Sequence, residues 1–203
     1  MSQRRKSIID AATRLFAAKG YEATPIIEVA AEAGISEGGL FRHFASKEAL
    51  LIEIFRHVRE RYFLYLEEHY RFRPEETGLD TALRLMTLYC RFYEDHEVDF
   101  DCIHRNNPLQ MPGIGEPCRV EMQRIHDKMM DQLRFAVNLG VRDGSISPVG
   151  VEAGAYLLLS LLWGSVRMRL YSSIHLRELE ALLVTFARRA LSGDDDPVSA
   201  QKS

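Results

Sequence analysis

The sequence contains few cysteines, and their arrangement excludes two common uses of this residue. Its 203 residues include three cysteines, Cys90, Cys102 and Cys118. An odd number at wide spacing gives neither the framework of a disulfide-stabilised secreted domain nor the close pairs of a structural zinc site. We therefore expect free thiols, no bound metal and a cytoplasmic location, where thiols stay reduced.

A long apolar run is missing as well. The longest stretch without a charged residue covers residues 153–166, which is too short for the roughly 20 residues that a membrane helix requires. The basic residues Arg4, Arg5 and Lys6 are not followed by the apolar segment of a secretory leader. We expect a soluble protein that has no membrane partner.

Strand patterns and internal repeats are also missing. Apolar residues instead recur at three- and four-residue spacing along most of the chain, and a hydrophobic content of 46% is enough for a core. This pattern predicts an all-α protein of about nine helices. No constellation of nucleophile, base and orienting group is evident, so we expect neither enzymatic activity nor a cofactor.

Residues 25–44 predict two short helices joined by a tight turn. Thr24 would cap the first helix, Pro25 would occupy its first position and Gly34 would end it. Ser36 would cap the second helix, in which Leu40 faces the core. Two short helices with a glycine in the turn form a helix-turn-helix.

The second of these helices has the residues of a recognition helix. Although the whole chain carries a net charge of -3, Lys and Arg outnumber Asp and Glu in residues 1–47, as DNA phosphates require. Phe41 could contact a thymine methyl group or pack in the core, and the polar residues could equally form an ordinary solvated helix face. The candidate DNA contacts are Arg4, Arg5, Thr24, Ser36, Glu37, Gly38, Gly39, Phe41, Arg42, His43 and Lys47.

One set of spaced residues resembles the amino-terminal domain of the TetR (tetracycline-repressor-like) transcriptional regulators over about residues 4–55. The set comprises Val29, Ala30, Ala33, Gly34, Ile35, Ser36, Gly38, Leu40, Phe41, Phe44, Ser46, Lys47, Glu48 and Leu50. Three positions depart from the usual pattern of that family, in which Phe41 is commonly Tyr, Gly39 is Thr or Ser, and Ile27 is polar or basic.

This resemblance implies a ligand-responsive regulator, most often a repressor. It would bind a palindromic operator as a homodimer and leave it when a small effector binds. A three-helix DNA-binding headpiece would span residues 1–47, with its helix-turn-helix at 25–44, and a six-helix ligand-binding and dimerisation domain would span residues 48–192. Residues 193–203 lack apolar periodicity and predict a disordered tail.

An aromatic and methionine set occurs on three of the predicted helices behind the headpiece. Such residues either pack in a core or line a cavity for an apolar or aromatic effector, and the resemblance to a ligand-sensing family brings these two interpretations to about equal weight. The candidate effector residues, with Arg167 available to an anionic group, are Tyr89, Phe92, Tyr93, Met129, Met130, Trp163 and Arg167.

The segment 150–171 is apolar on nearly all sides of its predicted helix. A helix of this kind in a soluble protein needs cover on every side, and a second subunit would supply it. The candidate interface residues are Leu157, Leu161, Leu179, Leu183 and Phe186.

Two rival hypotheses remain open at this point. One is a DNA-binding dimer that has no effector. The other is a small metal-dependent helical enzyme that uses Cys102, His104 and His126, although their spacing matches no common ligand pattern.

Overall fold

Nine α-helices and no β-strand occur in the parts of the chain that the computed structural model describes, residues 2–106, 111–168 and 175–192. The predicted all-α class is confirmed. The helices are α1 (Gln3–Lys19), α2 (Ile26–Glu32), α3 (Glu37–Phe41), α4 (Lys47–His69), α5 (Gly78–Asp95), α6 (Glu97–Asn106), α7 (Gly115–Asp143), α8 (Val151–Met168) and α9 (Leu176–Ser192).

Internal contacts divide the chain into two compact units. The first unit comprises Met1–Leu64 and His96–Ile125, and the second comprises Tyr65–Asp95 and His126–Ser203. Of the three division points, one falls inside α4, one between α5 and α6, and one inside α7. The predicted functional boundary between residues 47 and 48 is a different division and stays a prediction, and the predicted tail at 193–203 lies outside the described residues.

In the first unit, α1 forms the centre of the core. Ile8, Ile9 and Phe16 are fully buried, and α1 packs against α2 and α6. Gly20 ends the helix with a φ of +89°, a left-handed value that favours glycine.

Local hydrogen bonds explain where the next three helices begin. The hydroxyl groups of Ser36 and Ser46 accept from the backbone N–H groups of Gly39 and Ala49, each at 3.1 Å. The predicted cap at Ser36 is confirmed, and Ser46 caps α4 in the same way. The prediction that Thr24 caps α2 is wrong. Pro25 is the N-cap residue. The buried Thr24 hydroxyl donates instead to the carbonyl oxygen of Gly20, the residue that ends α1, at 2.7 Å.

In the second unit, α5 packs against α8 and α9. A Cβ atom on Gly78 would lie 1.9 Å from the backbone nitrogen of Gly140, so the two chain segments meet without intervening side chains. Helix α7 continues through Gly140 and ends at Asp143. The side chain of Asp143 accepts from the N–H of Gly78 at 2.7 Å and caps the start of α5.

None of the helices in the described residues combines the length and the apolar character needed to cross a membrane.

Candidate nucleic-acid interface and ligand site

The short helix α3 has one buried and one exposed side. Leu40 is fully buried and Phe44 is 3% exposed, so these two residues attach the helix to the core of the first unit. The predicted contact residues Ser36, Glu37, Gly38 and Arg42 are exposed instead. The helix therefore presents a polar surface with little side-chain bulk at its start, which suits close approach to a groove of DNA.

Two large apolar side chains add to this surface. Phe41 is 44% exposed at the end of α3, and Ile27 is 59% exposed in the first turn of α2. Exposed apolar groups beside polar ones are suited to thymine methyl groups, which lie in the major groove. Ile27 was not among the predicted contacts, and its departure from the usual family pattern is the feature of the sequence that singles it out.

The predicted cations occupy different environments. Arg4 and Arg42 are exposed, as a phosphate contact requires. Lys47 is partly buried, with its Nζ atom 4.3 Å from the centre of the Tyr21 ring. Gly39 and His43 are also partly exposed.

Arg5 is engaged within the protein. Its Nη1 donates to the backbone carbonyl oxygen of His43 at 2.7 Å, and its Nη2 lies 3.2 Å from Oε1 of Glu53. Its guanidinium carbon lies 4.2 Å from the centre of the Phe44 ring. Because its two terminal nitrogens contact the His43 carbonyl and the Glu53 carboxylate, Arg5 links the end of α3 to α1 and α4. Its predicted contact with DNA stays a prediction.

Thr24 is fully buried. A side chain with no exposed surface has nothing to offer to a DNA phosphate, and we leave Thr24 out of the proposed interface.

The predicted effector residues occupy three environments in the second unit. Five of them are buried, with exposed fractions between 1% and 6%: Tyr89, Phe92, Tyr93, Met129 and Met130. Arg167 is exposed. Trp163 lines a recess of about 170 Å³ together with His126, Tyr156, Leu159 and Ser160.

Trp163 has a hydrogen-bond donor without a partner and an aromatic neighbour. The indole nitrogen Nε1 of Trp163 is buried without a hydrogen-bond partner. The ring of His126 lies 5.7 Å from the Trp163 ring in an edge-to-face arrangement. A ligand in this recess would therefore meet the aromatic rings of Trp163 and His126.

Helices α8 and α9 leave apolar residues uncovered. Leu157 and Phe186 are each 60% exposed, and Leu161, Leu179 and Leu183 are partly exposed. An apolar cavity of about 370 Å³ lies between the two helices and is lined in part by Leu157, Leu161 and Phe186. Exposed apolar surface of this extent is typical of an interface with another protein chain.

The residues of the rival enzyme hypothesis are not assembled into a site. Among the described residues there is no group of three or more His, Cys, Asp and Glu side chains that could hold a metal ion. Cys102 is fully buried, and this burial raises the pKa of its thiol, which disfavours the thiolate that binds metals.

Sequence comparison relates the chain to known regulators. A family model described as "Bacterial regulatory proteins, tetR family" matches residues 8–54. The HTH-type transcriptional repressor KstR2 of Rhodococcus jostii (strain RHA1) is 28% identical over 167 residues, which cover 82% of this chain and 79% of that repressor. The similarity to KstR2 therefore extends well beyond the helix-turn-helix.

Solved structures share the fold over nearly the whole chain. The TetR family transcriptional regulator PfmR from Thermus thermophilus has a TM-score of 0.75 at 23% identity, covering 97% of this chain and 100% of that one. The transcriptional regulator FadR from Bacillus subtilis, solved in complex with stearoyl-CoA, has a TM-score of 0.74 at 17% identity, covering 92% of this chain and 98% of that one.

Proposed function

The chain belongs to the tetR family of bacterial regulatory proteins, and from this we propose that it binds a palindromic DNA operator as a homodimer and represses transcription until a small effector releases it. The observation that carries the DNA-binding part is the exposed surface of α3. Polar residues and backbone face outward there, while Leu40 and Phe44 attach the helix to the core. A symmetric dimer would place two such helices in successive major grooves, which is why the operator should be palindromic.

Selection of bound duplexes from a random pool tests the DNA-binding part. We expect a palindromic consensus, and we expect affinity for it to fall steeply with salt because Lys and Arg displace counterions from phosphates. Lys47→Ala should weaken binding to all sequences and lower the salt slope by about one. Arg42→Ala should instead change the preferred sequence at one position in each half-site.

A matched pair of duplexes supplies the control. The wild-type protein is titrated with the selected duplex and with a scrambled duplex of the same composition. Equal affinity for the two duplexes contradicts sequence-specific recognition.

The uncovered apolar surface of α8 and α9 supports the homodimer. A second copy of the chain would present the same surface, and two such surfaces related by a twofold axis would cover each other.

The recess at Trp163 supports the effector part of the proposal. Trp163 is the only tryptophan of the sequence, so intrinsic fluorescence reports directly on this recess. A mostly apolar or aromatic compound that binds there should change the fluorescence and weaken operator binding by about 5- to 150-fold, the usual range of coupling between two sites.

The effector test compares ligand binding with DNA release. Compounds that change Trp163 fluorescence are titrated against the complex with the selected duplex. By reciprocity, operator DNA should weaken the binding of an active compound by the same factor. If a broad set of apolar and aromatic compounds neither changes the fluorescence nor releases DNA, the constitutive DNA-binding dimer is the correct alternative.

Repression is tested separately from binding. A reporter gene placed behind the selected operator should be expressed less when the protein is present. Higher expression in its presence would identify an activator.

A further inference from the structure

A series of ion pairs in the first unit reaches the end of the recognition helix. Arg5 on α1 donates to the carbonyl oxygen of His43, which follows α3, at 2.7 Å. Glu53 on α4 contacts Arg5 through Oε1 at 3.2 Å and Arg56 through Oε2 at 2.7 Å. The Nε atom of Arg56 lies 3.5 Å from Oε1 of Glu121 on α7. We refer to His43, Arg5, Glu53, Arg56 and Glu121 as the ionic chain.

Glu121 is held at the far end of the ionic chain by two more arginines. Its Oε2 lies 2.7 Å from Nε of Arg59, without the direction of a hydrogen bond, and 3.4 Å from Nη1 of Arg124. The Glu121 side chain is 7% exposed, and an acid so deeply buried requires charged partners. The position of Glu121 is therefore determined by its contacts rather than by solvent.

The geometry at Arg5 is specific to a guanidinium group. Nη1 of Arg5 contacts the backbone carbonyl of His43, and Nη2 contacts the Glu53 carboxylate. The guanidinium group also lies close to the Phe44 ring. A lysine ammonium is a single point charge and cannot reproduce this fork. Glu53 fixes the orientation of the Arg5 guanidinium group, which in turn donates to the His43 carbonyl at the end of α3.

We propose that Glu53 and Glu121 are positioning residues that hold the recognition helix in its DNA-binding orientation through Arg56 and Arg5. This inference rests on the proposed function, because it concerns how the same DNA-binding helix is held. It also connects α7 to the end of α3 through the ionic chain, since Glu121 lies on α7.

Replacing a glutamate by glutamine distinguishes positioning from long-range electrostatic attraction, because the two effects change DNA affinity in opposite directions. Glu53→Gln and Glu121→Gln each remove a negative charge from a protein that binds a polyanion, and long-range attraction alone would therefore strengthen DNA binding. Loss of positioning would weaken it instead. We expect both variants to bind the selected operator about three- to tenfold more weakly, as for one lost hydrogen bond. The salt slope should match that of the wild type, because no phosphate contact is removed.

Glu22→Gln is the matched control. Glu22 is an exposed acid of the same unit outside the ionic chain, and its replacement makes the same change in net charge. This variant should bind the operator as tightly as the wild type or more tightly. All variants are compared well below their unfolding temperatures, so that a loss of stability does not reduce the amount of folded protein.

Two variants at Arg5 test whether Glu53 affects DNA affinity through the guanidinium group of Arg5. Arg5→Lys keeps the positive charge but not the fork, so it should lose affinity like Arg5→Ala. If Arg5 acted as a phosphate ligand, Arg5→Lys would restore binding. Glu53→Gln should cause no further loss in the Arg5→Ala background, because Glu53 acts through Arg5.

The possible results separate this inference from the proposed function. If the wild-type protein does not prefer the selected operator over a scrambled duplex, the proposed function fails. If the wild type is specific and Glu53→Gln binds as tightly as the Glu22→Gln control, the positioning role is overturned. If only Glu121→Gln behaves like the control, the connection to α7 is overturned.

Discussion

The side chain of Asn106 accepts a hydrogen bond through Oδ1 from the backbone N–H of Tyr21, which lies 85 positions earlier in the chain. The Nδ2 group of Asn106 donates to the carbonyl oxygen of Phe16 at 3.2 Å and to that of Cys102. One buried amide thus joins the end of α1 to the last turn of α6 and gives the buried N–H of Tyr21 a partner.

Asn106→Ala should destabilise the fold. The change leaves the buried N–H of Tyr21 without a partner, and we expect the free energy of unfolding to fall by about 2 kcal/mol. Urea denaturation followed by circular dichroism measures this difference. Asn138→Ala on α7, where the side chain is exposed, should change the unfolding free energy by less than about 0.5 kcal/mol. Equal losses for the two variants would contradict the role of Asn106.

His57 should make the stability depend on pH. Burial, and then the charge of Arg61, lowers the pKa of His57 below its ordinary value, while Asp10 and Glu53 oppose this shift and Lys6 adds to it. The ring nitrogen Nε2 is buried without a hydrogen-bond partner, so a proton placed there would have no acceptor.

The direction of the pH effect follows from this lowered pKa. The unfolded chain binds a proton on His57 near pH 6.5 while the folded chain does not, so the unfolding free energy decreases as the pH falls through about 6.5. The decrease ends once the pH is below the folded pKa. His57→Gln should reduce the slope in this range, as measured by urea denaturation at several pH values. An unchanged slope would show that His57 remains neutral in both states or charged in both.

Phe41 and Ile27 should recognise thymine methyl groups. Replacement of thymine by uracil removes only the methyl group, so uracil at a contacted position of the selected operator should weaken binding about fourfold. The same replacement should have no effect on Phe41→Ala or Ile27→Ala at the position that each residue contacts. Uracil placed outside the selected site is the control. If no thymine of the operator shows this dependence, the exposed apolar side chains have another role.

Phe186 should be required for dimer formation. Its side chain is 60% exposed in the single chain, so Phe186→Glu should leave the subunit folded but place an unpaired charge in the proposed interface. Sedimentation velocity at micromolar concentration should show a dimer for the wild type and a monomer for this variant. Leu64→Glu, at a residue of α4 that is 63% exposed, should remain dimeric. A wild-type monomer, or a dimeric Phe186→Glu, would exclude an interface at this position.

Several features could be predicted from the sequence because they depend on residues close together in the chain. Ser36 and Ser46 cap helices through hydrogen bonds to residues three positions later, and Gly20 supplies the left-handed backbone at the end of α1. The helix periodicity also gave the all-α class, since a repeat of three to four residues suits only one regular structure. These are local properties of backbone geometry and hydrogen bonding.

Other features were decided only by contacts between distant residues. Thr24 is suited to a cap by its chemistry, yet burial directs its hydroxyl to Gly20. Gly140 would commonly end a helix, but it lies inside α7, where an added Cβ atom would come within 2.5 Å of the Ile146 side chain.

Arg5 gives the clearest contrast between sequence and tertiary structure. In the sequence it belongs to a basic cluster that indicates phosphate binding, as does its exposed neighbour Arg4. The fold places His43 and Glu53 within reach of its guanidinium group, and these contacts are the basis of the positioning role that we propose for it. The sequence by itself determined which residues can donate and which helices form, because both follow from side-chain chemistry and local spacing. Only the tertiary structure decided which acceptor each donor meets, since that depends on residues brought together from distant parts of the chain.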